Sequence, residues 1–280
     1  MFLRKKNEQG SPHEQPEPGV REALLAERPS DILWRWAQTG MLREVMPDLD
    51  VLRGVSQLPA HRDNAFIHTL KVVDAIEPIP VRRWAALLHD IGKGPAYIET
   101  PEGRSRFFEH DSIGAAMVAE IMQAAQEDEA LIEPVHRLVS LHMRPISYSV
   151  EWSDAAVRRL REDAEEGRGI EGWRDLLALS RADLRGYLPE PIDRGIWVLD
   201  RLEAHARRLE EEEKQEQVER EQGPRSPLDG HRLIEIAGRE PGAWVGEVKD
   251  YLLGEVEAGR LGADDTVEAE RLAMQFLILN

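Results

Sequence analysis

His89-Asp90 closes the apolar run Trp84-Ala85-Ala86-Leu87-Leu88 and continues into Ile91-Gly92-Lys93. An imidazole and a carboxylate on adjacent side chains can share one metal ion. Two ligands do not make a site, but the chain offers His68 upstream and His110, His142 and Asp183 downstream. These six together are enough to hold two divalent ions. The chain has no Cys, so every ligand must be imidazole or oxygen. That donor set suits borderline to hard divalent ions: Mn, Fe, Co, Ni or Mg. Asp183 adds its own argument. It ends the stretch Leu176-Leu177-Ala178-Leu179-Ser180-Arg181-Ala182, where a lone carboxylate on a largely apolar face is costly unless paired or ligated.

The elements that must bring these residues together read as helices. Apolar residues recur at helical spacing from about Ser30 to Gly40 and again from Asn64, where Phe66, Leu70, Val73 and Ile76 face inward until Pro78 and Pro80. Residues 81–91 form a third helix with Gly92, Gly94 and Pro95 as terminator, and a turn-rich stretch through Pro47, Gly54 and Pro59 lies before the second. Residues 95–109 read as a loop with a tight turn at Glu102-Gly103. Asp111 or Ser112 is placed to cap the next helix. Further helices follow over 129–142, 153–164, 172–186 and 192–222. The geometry is plausible for a site: His68 starts one helix, His89-Asp90 ends another, His110 precedes one and His142 ends one.

No period-two run is long enough to argue for a sheet, so the expected fold is all-α, a helical bundle with a long helix leading to a small helical tail. The expected domains are a disordered arm over 1–25, a metal-binding body over 26–208, a charged helical linker over 209–227 and a tail over 228–280. The net charge of −17 opposes nonspecific nucleic-acid binding, although it leaves room for a local basic patch and for a small phosphate held by metal. The start Met1-Phe2-Leu3-Arg4-Lys5-Lys6 has no apolar core of a signal peptide, and no run is long enough to span a membrane. These features point to a soluble, cytoplasmic protein; they leave the oligomeric state open.

With the ligands in order, His68, then His89-Asp90, then Asp183, the chain resembles the HD superfamily of metal-dependent phosphohydrolases. His110 and His142 look like the extra histidines of members that hold two metals, and Lys93 and Gly114-Ala115 extend the likeness. Outside the site, Thr39-Gly40-Met41-Leu42 through Met46-Pro47-Asp48-Leu49, then Gln57, His61 and Phe66-Ile67-His68-Thr69-Leu70, is similar to the tRNA nucleotidyltransferases (CCA-adding enzymes and poly(A) polymerase relatives). Asp229-Gly230-His231-Arg232-Leu233 and Glu240-Pro241-Gly242-Ala243-Trp244-Val245-Gly246 look like the end of those enzymes. One departure is that the polymerase head of the family, with its glycine turn and Asp-x-Asp pair, has no counterpart in the residues before position 30. Asp48-Leu49-Asp50 has that spacing but lacks the glycine turn and the sheet around it.

The resemblance implies a phosphohydrolase and not, by itself, a nucleotidyltransferase. His68, His89 and Asp183 would hold one metal, His110 and His142 the other, and Asp90 would bridge both. Lys93 is placed to stabilise charge on phosphoryl oxygens, or else to answer a helix dipole. Arg144 could contact phosphate or pair with a surface acid, with Arg104 and Arg106 as weaker candidates for the same role. His61 is a candidate to support His68. Substrates would be nucleotides, 2′,3′-cyclic phosphates or small phosphomonoesters, with tRNA bound weakly at most. The alternative is a non-catalytic RNA- or protein-binding body whose metal is structural.

Overall fold

A computed structural model describes residues 18–56, 63–100, 105–187, 189–222 and 225–279. The chain divides after Leu209 into two compact units. The first is built from helices α1 (Val20–Leu25), α2 (Pro29–Thr39), α3 (Met41–Val45), α4 (Pro47–Val51), α5 (Ala65–Ala75) and α6 (Pro80–Leu88). Two short strands follow, β1 (Tyr97–Glu99) and β2 (Ser105–Phe107), then α7 (His110–Ala124), α8 (Glu129–Leu141), α9 (Met143–Ile146), α10 (Asp154–Glu165) and α11 (Ile170–Gly186). Helix α12 (Pro189–Gln222) runs through the point of division. The fold is all-α apart from that small antiparallel hairpin.

The core forms where apolar stripes of α5, α6, α8 and α11 meet, with α7 packed along α8 and α2 along α5. Trp36, Phe66, Trp84, Leu87 and Leu88 are fully buried there. Truncating such a leucine typically costs about 2–5 kcal/mol, so this cluster holds the ligand-bearing helices in place.

Three expectations need correction. The arm expected over 1–25 is ordered from residue 20, because α1 buries Val20, Ala23 and Leu24. Arg83, itself buried, donates to the carbonyl oxygens of Leu24 and Ile76, both at 3.0 Å, tying α1 to the end of α5. A six-residue helix is too short to show a period. Residues 41–54 are not a string of turns but α3, α4 and a 3-10 turn: Gly40, at φ +86°, ends α2, and Pro47 opens α4 at its first position. The loop over 95–109 contains the hairpin, with Tyr97 opposite Phe107 and Ile98 opposite Arg106; its expected turn at Glu102-Gly103 lies outside the described residues.

The second unit contains the charged half of α12, read from sequence as a linker, with α13 (Gly230–Ala237), α14 (Trp244–Glu257) and α15 (Thr266–Leu279). Asp229 caps α13 by accepting from the Arg232 amide at 2.7 Å. Leu233, Val248, Leu252, Ala269 and Ala273 form its own core. No helix among the described residues is long and apolar enough to cross a membrane.

Gly92 is the position on which the two halves of the site meet. A Cβ there would lie 2.1 Å from the carbonyl oxygen of His110 and 2.6 Å from the amide nitrogen of Gly114. Both obstacles are backbone, so the main chain would have to shift. Gly92→Ala is therefore expected to destabilise the protein by roughly 1–3 kcal/mol and to lower its metal content, because His110 moves with its backbone. Denaturant unfolding together with metal analysis checks both effects; full stability would show that the crossing has slack.

Candidate metal centre

Each ligand stands at or near a helix end. Asn64 caps α5 by accepting from the Ile67 amide at 2.9 Å, which places His68 in the first turn. Helix α6 stops at Leu88; Asp90 lies at φ −104°, ψ 8°, and a 3-10 turn carries on through Lys93. That break lets two adjacent side chains converge, which a continuous helix would turn apart. His110 opens α7, and its N-cap is Glu109 in the left-handed region at φ 56°, not Asp111 or Ser112 as expected. Asp111 instead accepts from the Ser112 amide within the first turn. His142 follows α8 directly, and Asp183 lies near the end of α11.

Three imidazoles are oriented alike. Nδ1 of His89 lies 2.9 Å from Ala86 O, Nδ1 of His110 3.0 Å from Phe107 O and Nδ1 of His142 2.6 Å from Val139 O. A carbonyl can only accept, so each Nδ1 carries a proton and Nε2 is the atom turned to the site, where its lone pair is available whenever the ring is neutral. His68 is positioned differently, with Nε2 at 2.8 Å from Asp183 Oδ1 and the Tyr187 ring tilted against it, centroids 4.5 Å apart. Gly186 makes room for it, since a Cβ there would come within 2.7 Å of the His68 ring.

The six donors form two groups: His68, His89 and Asp183, and Asp90, His110 and His142, all buried. In the first group the Nε2 atoms of His68 and His89 are 3.3 Å apart, and Asp183 Oδ1 is 2.8 and 3.5 Å from them. Donors about 2.1 Å from one ion stand about 3.0–3.4 Å apart at tetrahedral or octahedral angles; the His68–His89 edge falls in that range and the two Asp183 edges lie just to either side of it. In the second group Asp90 Oδ1 is 3.5 Å from His110 Nε2 and 3.9 Å from His142 Nε2. Those two Nε2 atoms are buried with no hydrogen-bond partner among the described residues, as a ligand lone pair awaiting a cation would be. The other Asp90 oxygen, Oδ2, faces His89 Nε2 at 3.3 Å and Lys93 Nζ at 2.5 Å. The carboxylate thus offers one oxygen to each group.

The electrostatics follow from the burial. Burial alone would lower His89, but the charges of Asp90 and Asp183 outweigh it and push its pKa up to about 10. Burial, with the His89 charge, lowers His142 to about 4, so that imidazole stays neutral. Against burial, which raises them, His89 and Lys93 hold Asp90 well below the usual carboxylate range, and His68 and His89 do the same for Asp183. Two carboxylates here claim positive charge, supplied by a proton when no metal is bound.

Above the ligands lies a cavity of about 360 Å³ lined by Asp90, Lys93, Arg106, Phe107, Phe108, His110, Met143, Asp183 and Tyr187. Lys93 is buried on its floor. Arg144 does not line it; its guanidinium pairs with Asp163 at 2.6 Å, the second of the two roles open to it from sequence. Tyr187 is the residue that the sequence analysis missed. Its position four residues after Asp183, one helical turn on, is the only signal that could have found it. Burial and the neighbouring charges of Asp183 and Asp90 raise its hydroxyl pKa. Asp50 is held by Arg53 at 2.8 Å and Arg43 at 3.0 Å on a helix, away from any sheet. His61 and Arg104 lie outside the described residues.

A family profile described as HD domain matches residues 66–185, a span that encloses all six candidate ligands. The A-adding tRNA nucleotidyltransferase of Deinococcus radiodurans is 30% identical over 251 residues, covering 84% of this chain and 52% of the relative. The CC-adding tRNA nucleotidyltransferase of Thermus thermophilus is 28% identical over 257 residues, covering 88% and 53%. The multifunctional CCA protein of Cupriavidus metallidurans is 30% identical over 176 residues, covering 60% and 41%. The chain thus spans about half the length of the curated relatives it matches, or somewhat less.

The charge pattern yields a pH signature. His89 has a raised pKa in the folded chelated protein, so its contribution to stability is complete below pH 6.5 and is lost as pH rises through about 10. The carboxylates, whose pKa values are lowered, contribute above about 3.8 and lose that contribution as pH falls. Metal binding needs deprotonated donors and so strengthens over the same rise. The difference in Tm between metal-loaded and chelated protein is expected to widen from pH 6.5 to 10. A constant difference in a thermal unfolding series would show that no proton leaves when metal enters.

Proposed function

We propose that this HD-domain chain, homologous to tRNA nucleotidyltransferases across its HD region, is a metal-dependent phosphohydrolase of phosphate esters: nucleotides, 2′,3′-cyclic phosphates or small phosphomonoesters. The observation that carries this reading is the complete set of six buried donors in two groups, with the two Asp90 oxygens divided between them. The groups fit two divalent cations from Mn, Fe, Ni, Co or Mg, one held by His68, His89 and Asp183 and the other by His110 and His142, with Asp90 shared. Such cations, when bound, supply a nucleophilic water and neutralise phosphate charge.

The chain's own residues do the rest. Nδ1–H bonds to backbone hold three imidazoles in the tautomer that ligates. Lys93 Nζ, beside Asp90 on the cavity floor, is within reach of a phosphoryl oxygen and stabilises the charge that gathers there. The aromatic wall of Phe107, Phe108 and Tyr187 limits water around the reacting group. The names of the relatives favour a second reading, an RNA-binding body with structural metal, and make tRNA a candidate partner.

Loaded with Mn or Ni, the protein is expected to hydrolyse 4-nitrophenyl phosphate or its diester. Asp90→Ala should reduce turnover by more than about 100-fold and deplete metal, since even groups that only support a ligand cost 10–100-fold. Lys93→Met should slow kcat by about 10²–10³-fold at unchanged metal content. Steady-state kinetics with metal analysis checks both. No hydrolysis with any of these metals over a panel of phosphate esters would promote the binding-body reading.

A further inference from the structure

The hairpin over the metal centre has two unlike faces. Tyr97 and Phe107, opposite each other in the ladder with ring centroids 6.0 Å apart, pack against the core, and Phe107 also lines the cavity, 5.4 Å from Lys93 Nζ. Ile98 and Arg106, the next pair, are exposed. Phe108 follows in the turn and is 61% exposed, an unusual state for a ring on the rim of a cavity. The left-handed Glu109 and the ligand His110 come next, so the same tight turn displays Phe108 and aims His110. The Arg106 guanidinium lies 5.8 Å from the Phe108 ring centroid, and no carboxylate pairs with it among the described residues. Phe108, Arg106, Lys93 and Asp90 line one cavity.

We propose that Phe108, with Arg106 over its ring, is the specificity element of this site: a stacking shelf that selects phosphate esters carrying a planar aromatic group over aliphatic ones. The inference rests on the phosphohydrolase reading for the role of the cavity, but its test does not depend on turnover. A planar ring bound beside the ligands covers apolar surface that Phe108 otherwise leaves in water, and stacking tolerates any flat π face. The guanidinium holds its place by cation–π contact and stays within the cavity that receives the phosphoryl group. An aliphatic ester can use the metal centre and Lys93 but gains little from the shelf. The planar group is either a nucleobase or a simple aryl ring.

The experiment titrates the Mn-loaded full chain by calorimetry with phenylphosphonate, methylphosphonate and the phosphonate analogue of adenosine monophosphate, which share a headgroup and have no ester bond to hydrolyse. Phenylphosphonate is expected to bind about tenfold tighter than methylphosphonate. Phe108→Leu should abolish that ratio and Phe108→Trp should keep it. Phe108 is exposed, so its variants should keep the wild-type Tm. Equal binding of the two phosphonates, no binding of either, or a ratio unchanged in Phe108→Leu overturns the proposal. An adenosine ratio larger than the phenyl ratio, lost in the same variant, identifies the ring as a nucleobase; equal ratios identify a general aryl shelf. Absence of hydrolysis in the separate turnover assay would count against the phosphohydrolase reading alone and leave the binding ratio to decide this one.

Discussion

A buried carboxylate sets the terms for the rest of this structure. Asp90 is 2% exposed, and an anion at that depth is costly unless positive charge or hydrogen bonds surround it. The surroundings are built as that compensation. His68, His89 and Lys93 face Oδ2, while His110 and His142 face Oδ1. Five residues from four places in the chain thus converge on one side chain, and the second buried acid, Asp183, closes the arrangement from α11. The raised pKa of His89 and the lowered pKa values of the two acids are one field seen from both signs of charge. A proton satisfies that field partly; two divalent cations satisfy it more fully.

Helix ends suit this task better than helix middles. The last carbonyls of a helix have no intrahelical partner. His89 and His142, each just beyond its helix, donate Nδ1–H to those carbonyls. The same bond therefore satisfies an orphan acceptor, fixes a tautomer and turns Nε2 inward. At His110 the accepting carbonyl belongs to the strand residue Phe107, so the hairpin does for α7 what the α6 and α8 ends do for their histidines. The cost appears at Glu109, a non-glycine residue held in the left-handed region immediately before the ligand, where strain tends to collect at functional sites.

Much of the site was legible before any coordinates because its chemistry contrasts with its setting. A His-Asp doublet after five apolar residues and an aspartate within a leucine-rich helix stand out, and the fold brings these three together with the further candidates His68, His110 and His142. The missing parts fail for identifiable reasons. Helix α1 is too short for a period, and its anchor is a buried arginine dozens of residues away. Three-residue strands carry no alternation worth counting. Asp111 has the chemistry of a cap, but the chain turns two residues earlier through a conformation that a glutamate seldom adopts. Tyr187 reads as an ordinary aromatic at a helix end; only the fold places its ring on His68. Arg144 had two roles open, and tertiary proximity to Asp163 decides which one is seen.

The metal centre and its cavity wall rest on different kinds of support. Around the candidate ligands, main chain meets main chain at Gly92, which lies against His110 and Gly114, and main chain meets a side chain at Gly186, which lies against the His68 ring; there is no space for a methyl group at either glycine. Ligand spacing is therefore set by backbone packing of whole helices and does not adjust when a surface side chain changes. The wall facing the substrate comes largely from a two-stranded hairpin between α6 and α7 and the turn after it. Side chains there, such as Arg106 and Phe108, are exposed and bury little of the core. They can be exchanged with small effect on stability, whereas the helices below them cannot move without loss of the site. Such a division leaves the six buried donors fixed by the packing of whole helices while the few rim residues of the cavity are free to vary.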